Sequence, residues 1–169
     1  MKIKIALVCI CIAFNSCINN ERKNYSFQVE INAVVKKDNM LIVYFKDRSN
    51  QLFVADRTVW LGVKENQTPQ DYKLVLPKGV LPRDIRLNYC FDKLNGPLQI
   101  NSITLRFNKS AFKIKKENFL EYFKPNQYVN YDEKTGLATP ISINGKSDPF
   151  FLSREKLLLL LIDINQEDI

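Results

Sequence analysis

The chain has 169 residues, with 25 Lys and Arg against 18 Asp and Glu, 46% apolar residues and no histidine. The missing histidine excludes Ser-His-Asp and Cys-His catalysis, histidine-ligated metal sites and the commonest general base near neutral pH. The apolar fraction suffices for a substantial core, and no internal repeat or low-complexity tract divides the sequence.

Lys2 and Lys4 precede an apolar run from Ile5 to Phe14, which leads into Asn15-Ser16-Cys17. Ten apolar residues are too few for a helical membrane span, which takes roughly 20. A basic start, a short apolar segment and a small residue before a cysteine form a secretory signal. These residues resemble the signal and lipobox of bacterial lipoproteins, although Phe14 and Asn15 replace the usual Leu and small residue. The resemblance implies that Cys17 becomes the first residue of the mature chain and carries acyl chains. Cys9 and Cys11 follow the bulky Val8 and Ile10, whereas Ser16 before Cys17 fits. An ordinary signal peptide cut nearby, or an uncleaved anchor, is the alternative.

On this reading residues 1–16 are the signal and 17–24 the lipidated cysteine with a polar tether, and 25–169 form a single domain. Ile18 to Asn24 reach at most about 25 Å when extended, so the domain sits near a membrane. One acyl chain holds only marginally, and two or three hold stably. The expected address is the cell envelope. The outer membrane is favoured over the inner because Ile18 is not the aspartate that retains some bacterial lipoproteins at the inner membrane.

Without Lys2 and Lys4 the 25 basic residues become 23, against 18 acidic ones, a net charge of +5. The densest basic spots, Lys36-Lys37 and Lys113 with Lys115-Lys116, lack interleaved aromatics or glycine-rich loops, so no nucleic-acid partner is expected. They read as solvated surface, or as attraction to anionic headgroups or acidic glycans. With the signal removed only Cys17 and Cys90 remain. No intramolecular disulfide is therefore expected, and Cys90 reads as a structural thiol.

Along the chain, Tyr25, Phe27, Val29, Ile31, Ala33 and Val35 alternate with polar residues, which predicts a half-buried strand. The apolar run Met40 to Phe45 predicts a strand covered on both faces. Further strands are predicted at Leu52 to Ala55, Thr58 to Lys64, Tyr72 to Leu76 and Asp84 to Phe91. In Leu98 to Phe107 the apolar parity slips, which predicts a bulge near Asn101-Ser102. Asn108-Lys109-Ser110 then turns the chain into a hairpin with Phe112 and Ile114. A short helix is predicted from Glu117 to Phe123, stopped by Pro125. Strands follow at Tyr128 to Tyr131 and Thr139 to Ile143, around the turn Asp132 to Gly136. Ser153 reads as the N-cap of a helix over about 153–164.

Many short strands with little helix before the end predict a mainly β fold. The expected form is an antiparallel β-sandwich, jelly-roll or immunoglobulin-like, with a short C-terminal helix. The stretch Leu76-Pro77-Lys78-Gly79-Val80-Leu81-Pro82-Arg83-Asp84-Ile85-Arg86-Leu87-Asn88, with Leu98-Gln99-Ile100-Asn101-Ser102-Ile103-Thr104-Leu105, resembles carbohydrate-binding-like jelly-roll modules. It carries their Leu-Pro turn, Ile-Arg-Leu strand and Ile-x-x-Ile-x-Leu strand over roughly thirty residues. Asn88-Tyr89-Cys90 stands where those modules have Asp-Pro-Gly.

Trp60 is the sole tryptophan. Strand parity sets it opposite Val59, Leu61 and Val63, beside Thr58, Gly62 and Lys64. There it either stacks on a sugar or a partner side chain, or, if that face is also covered, belongs to the core. Glu117 with Glu121, and Asp132-Glu133, are the acidic pairs that an envelope glycosidase would need. They read as solvated charge, so no catalytic residue is assigned. Asn144-Gly145-Lys146-Ser147-Asp148 lacks the alternating acids of a calcium loop and reads as a turn, so no metal or other cofactor is expected.

The apolar run Leu157 to Ile162 covers too much of a helix for a single buried stripe. It either crosses an open end of the sandwich or awaits a partner chain. The composite expectation is a non-catalytic, lipid-anchored binding or scaffolding module of the cell envelope, with a glycan or envelope protein as partner. A carbohydrate-active enzyme and a purely structural lipoprotein are the competing readings.

Overall fold

The computed structural model describes residues 26–89 and 96–166. Cys17, the signal and the tether lie outside the described residues, as do Tyr25, Cys90 and Phe91. In chain order the strands are β1 Gln28–Val35, β2 Asn39–Lys46, β3 Thr58–Val63, β4 Gln70–Val75, β5 Asp84–Asn88 and β6 Leu98–Phe107. They continue with β7 Ser110–Lys115, β8 Phe123–Pro125, β9 Val129–Asp132, β10 Leu137–Pro140 and β11 Phe150–Ser153. The helices are α1 Phe119–Tyr122 and α2 Glu155–Gln166.

The strands form two antiparallel sheets packed as a sandwich. One runs β4-β1-β6-β10-β9, with β7 also paired to β6; the other runs β3-β2-β5-β11-β8. Period-two alternation builds both inner faces. Val29, Ile31 and Ala33 of β1 face Leu41, Val43 and Phe45 of β2 and Ile85 and Leu87 of β5 across one dry core. The expected parity slip is present. Asn32 pairs with Ser102 but Ala33 pairs with Ile100, leaving Asn101 as the extra residue of a bulge. Past the bulge Ile103, Leu105 and Phe107 return to the core. β7 follows the later half of β6, while β10 takes the earlier half.

Phe119 joins the two sheets. Fully buried, it stacks on Phe123 at 4.9 Å, meets Phe151 edge-on at 5.0 Å and lies 5.0 Å from Tyr131. Phe123 and Phe151 belong to one sheet and Tyr131 to the other. Gly136 closes the β9–β10 turn with φ +74 and approaches β6 so closely that a Cβ there would lie 2.1 Å from the Ile100 carbonyl oxygen. Only glycine fits that position.

Four local expectations are corrected. Leu52 to Ala55 is not a strand. It lies in a loop, residues 47–57, organised around the Asp47 carboxylate, which accepts from Ser49 N, Ser49 Oγ and Asn50 N and pairs with Arg57 at 2.9 Å. Such side-chain acceptors compete with a sheet ladder for the backbone donors. The predicted helix ends at Tyr122, and Phe123 opens β8 because its ring is needed in the core and its backbone pairs with Ser153. Phe150–Ser153 is a strand that periodicity did not reveal, since four residues carry too little pattern. Ser153 is accordingly no helix cap. Its hydroxyl donates to Ile85 O at 2.8 Å and accepts from Ile85 N at 3.1 Å, extending the β5–β11 pairing by one residue.

The two ends of the sandwich differ. The short turn Lys36–Asp38 joins β1 to β2 at one end, so Gln28 and Lys46 lie at the other. Lys46 pairs there with Asp84, and the β6–β7 turn arrives there because Gln28 pairs with Arg106. α2 also departs from this end, since Ser153 bonds Ile85. The helix places Leu157, Leu161 and Ile164 in the core, whereas Leu159 and Ile162 stay exposed on its outer side. It thus closes the open end with one stripe and leaves a second uncovered.

Leu161→Ala is expected to cost about 2–5 kcal/mol and Leu159→Ala less than about 0.5 kcal/mol, compared by denaturant midpoints. Burial alone would raise the Asp47 pKa, but the Ser49 hydroxyl, the Asn50 and Ser49 N–H groups and Arg57 outweigh it and hold the carboxyl below its ordinary range. Its stabilisation is therefore complete above the unfolded aspartate pKa of about 3.9 and is lost as pH falls through the lower folded value. Asp47→Asn should lower stability at pH 7 by about 1–3 kcal/mol and make the acid limb of the stability–pH curve shallower.

Candidate functional site

The outer face of the β3-β2-β5-β11-β8 sheet carries aromatic side chains that lie outside the core. Its register brings Trp60 beside Ile42, Ile42 beside Asn88 and Asn88 beside Phe150. The adjacent row holds Thr58, Tyr44, Arg86 and Leu152. From Trp60 to Phe150 is three strand spacings, about 14 Å.

Trp60 lies on this face on the edge strand, with 66% of its surface exposed, so it is not a core residue. Gly62, two residues on along the same face, leaves open space: a Cβ there would have no neighbour within 4 Å. The indole therefore borders a vacant shelf. Val59, Leu61 and Val63 turn toward the core, as parity requires. The strand expected to be covered on both faces is covered on its outer side only in part: Ile42 is buried there, while Tyr44 is half-buried.

Arg86 organises the middle of the face. Its guanidinium lies 3.7 Å from the Phe150 ring centroid and 5.1 Å from that of Tyr44. Its Nε donates to Asn88 Oδ1 at 2.8 Å, and Nη2 reaches Asp148 at 3.0 and 3.3 Å. Asn88 Nδ2 donates to the same carboxylate at 3.1 Å. The buried amide of Asn88 is thereby satisfied on both sides, and a cation is fixed between rings with its counter-ion half-exposed at the rim. Asp148 is brought here by the hairpin turn Asn144-Gly145, where both residues have positive φ. Asn126 secures the following segment, donating to Asp148 O and accepting from Phe150 N. Sequence reasoning singled out Trp60 but missed Arg86, Asp148, Tyr44 and Phe150 as its companions. The alternation Asp84-Arg86-Asn88 was the available signal.

The acidic pairs go elsewhere. Glu121 pairs with Lys156 of α2. Asp132 accepts from Thr135 Oγ1 and Lys134 N, which hold its carboxyl below the ordinary range and cap the β9–β10 turn. Burial, with Glu133, Glu117 and Asp132 nearby, raises the Tyr131 hydroxyl pKa. Among the described residues, no group of three carboxylate or thiol side chains is placed to hold a metal ion, and no helix is long and apolar enough to cross a membrane.

The outer face of the other sheet is chemically different. A groove of 510 Å³ there is lined by polar side chains such as Glu30, Asn32, Asp71, Lys73 and Thr104, with no aromatic ring. Arg106 pairs with Glu30 at 2.8 Å, and Asn32 donates to Asp71 at 2.7 Å. The sandwich thus presents one aromatic face and one mainly polar face, on which Ala111 and Val75 are the apolar exceptions. No protein-family model matches the chain, and no curated protein or solved structure is significantly similar to it.

Arg86→Met should retain an apolar stem between the rings but strip Asn88 Oδ1 of its donor. The expected loss is about 1–3 kcal/mol by chemical denaturation.

Proposed function

We propose that the chain is a non-catalytic, lipid-anchored binding module of the cell envelope that engages a glycan across the Trp60 face. The observation that carries this reading is an exposed indole beside an open shelf, followed along the same face by the Arg86–Asn88–Asp148 network between two rings. A sugar ring offers C–H groups to an aromatic face and hydroxyls to charged and amide groups at its edge, and this surface supplies both. A fixed donor and a half-exposed carboxylate orient hydroxyls without prior rearrangement, which lowers the entropic cost of binding. The lipidated Cys17 and the envelope address enter through the lipoprotein-like N-terminus. The sandwich reading adds the carbohydrate-binding-like strand pattern around Asp84–Asn88.

A non-catalytic role is preferred because one carboxylate of each acidic pair singled out in the sequence is engaged in pairing or turn capping. Glu121 is tied to α2 and Asp132 to its own turn.

Trp60→Ala is expected to weaken binding by at least about thirtyfold, near 2 kcal/mol, in glycan-array and calorimetric titrations. Stability should change by less than about 0.5 kcal/mol. Gly62→Leu, which fills the shelf without a clash, should block the same ligand in a folded protein. Retained affinity in both variants would refute the stacking site.

A further inference from the structure

We infer that the end of the sandwich where the described chain begins docks directly on an anionic lipid surface, through the outer stripe of α2 and three neighbouring loops. This rests on the lipid-anchored reading above and goes beyond it, because an anchor alone leaves the domain free to take any orientation.

Topology collects the relevant groups. Residue 26 enters β1 at the end of the sandwich from which α2 departs. The loop 47–57 belongs to this end because β2 reaches it at Lys46, and Thr58 leaves it opposite Tyr44. Residues 76–83 belong to it too: Val75 pairs with Gln28, and Arg83 N donates to Lys46 O at 2.8 Å. The turn at 108–109 is the third loop.

Two kinds of side chain lie exposed there. Leu52 is 67% exposed at the tip of its loop, and Leu159 and Ile162 of α2 are 56% and 42% exposed, on the side away from Leu157, Leu161 and Ile164. Arg48, Lys78, Arg83 and Lys109 are exposed on the three loops, and none of them joins an ion pair among the described residues. The same loops expose one carboxylate, Asp56; Glu155 and Asp163 flank the stripe on α2. Apolar side chains with surrounding unpaired cations suit the boundary between acyl chains and anionic headgroups.

Tether length selects the occupant. From Cys17 to Ser26 is nine residue steps, at most about 32 Å when extended, so an acylated Cys17 keeps this end within reach of the bilayer. Trp60 lies on a lateral sheet face. Docking by the end therefore holds the aromatic face upright and open to ligand.

The sole tryptophan makes the test direct. Acylated full chain is bound to vesicles of phosphatidylcholine and phosphatidylglycerol (3:1) with brominated acyl chains, and emission from Trp60 is compared with that from Leu159→Trp in a Trp60→Phe background. The Leu159→Trp emission should shift to the blue and be quenched, while Trp60 stays unquenched. Quenching at Leu159→Trp should fall in pure phosphatidylcholine. Arg83→Glu with Lys109→Glu should lower the docked-to-free ratio by at least about fivefold per charge.

Vesicle-bound, acylated protein whose Leu159→Trp emission is unquenched, or whose Trp60 is quenched equally, overturns the docking and leaves the anchor standing. An unacylated Cys17 by mass spectrometry overturns the anchor. Docking is then decided by the same quenching, measured on the unacylated chain in excess vesicles: quenching confined to Leu159→Trp upholds it, and its absence overturns it.

Discussion

The two inner sheet faces must be dry at once, and every other feature of the molecule is arranged around that requirement. Each strand has two faces and one residue spacing, so committing alternate residues to the core leaves the others no choice of direction. The Asn101 bulge shows how strict this is. With Leu98 and Ile100 on one parity and Ile103, Leu105 and Phe107 on the other, β6 can bury both sets only by inserting one unpaired residue. The bulge also divides β6 between two neighbours along one edge, β10 before it and β7 after it.

Phe119 answers the second requirement, which is to hold the sheets together where no disulfide is described. It stands on a single helical turn between β7 and β8, where the chain crosses from one sheet to the other. Its ring meets Phe123, Tyr131 and Phe151 within about 5 Å and so couples both layers and the crossover in one cluster. Replacing such a ring removes contacts from three elements together, which is why core aromatics are among the costliest positions to truncate.

The outer faces are by-products of the same alternation, yet they have opposite chemistry. On β1, β4 and β6 the outward residues are mostly polar, and Asn32 with Asp71 and Asn101, and Glu30 with Arg106, satisfy one another across strands. On β2, β3, β5 and β11 they are Tyr44, Trp60, Arg86 and Phe150, and here the cation is fixed by ring contacts and by Asn88 and Asp148. A face of this kind does not contribute to the core, and its exposed indole offers a large apolar contact area to whatever binds there. That asymmetry supports binding on one face and solvation on the other.

Period-two patterns long enough to outweigh chance were legible in the sequence. They include the strands around Val29, Ile85 and Leu105, the position of the bulge, and the parity that turns Trp60 away from Val59, Leu61 and Val63; β2 was legible instead as a continuous apolar run. Signals shorter than about two periods were not legible, because local pattern and propensity carry little weight beside a long-range pairing. Phe150–Ser153 and Phe123–Pro125 became strands only because β5 and β11 offered them open edges. Loop 47–57 lost its expected strand because Asp47 takes the Ser49 and Asn50 donors and the Asn50 side chain takes that of Leu52. Whether Trp60 was core or surface depended on what lay over the second sheet face. Its partners Arg86, Asp148 and Phe150 are 26 to 90 residues away along the chain, and only the register of β2, β5 and β11 sets them on its face. Composition and periodicity determined which residues turn inward, since that is a property of each strand; the tertiary structure decided which outward residues meet, since that depends on how strands separated in the chain are aligned.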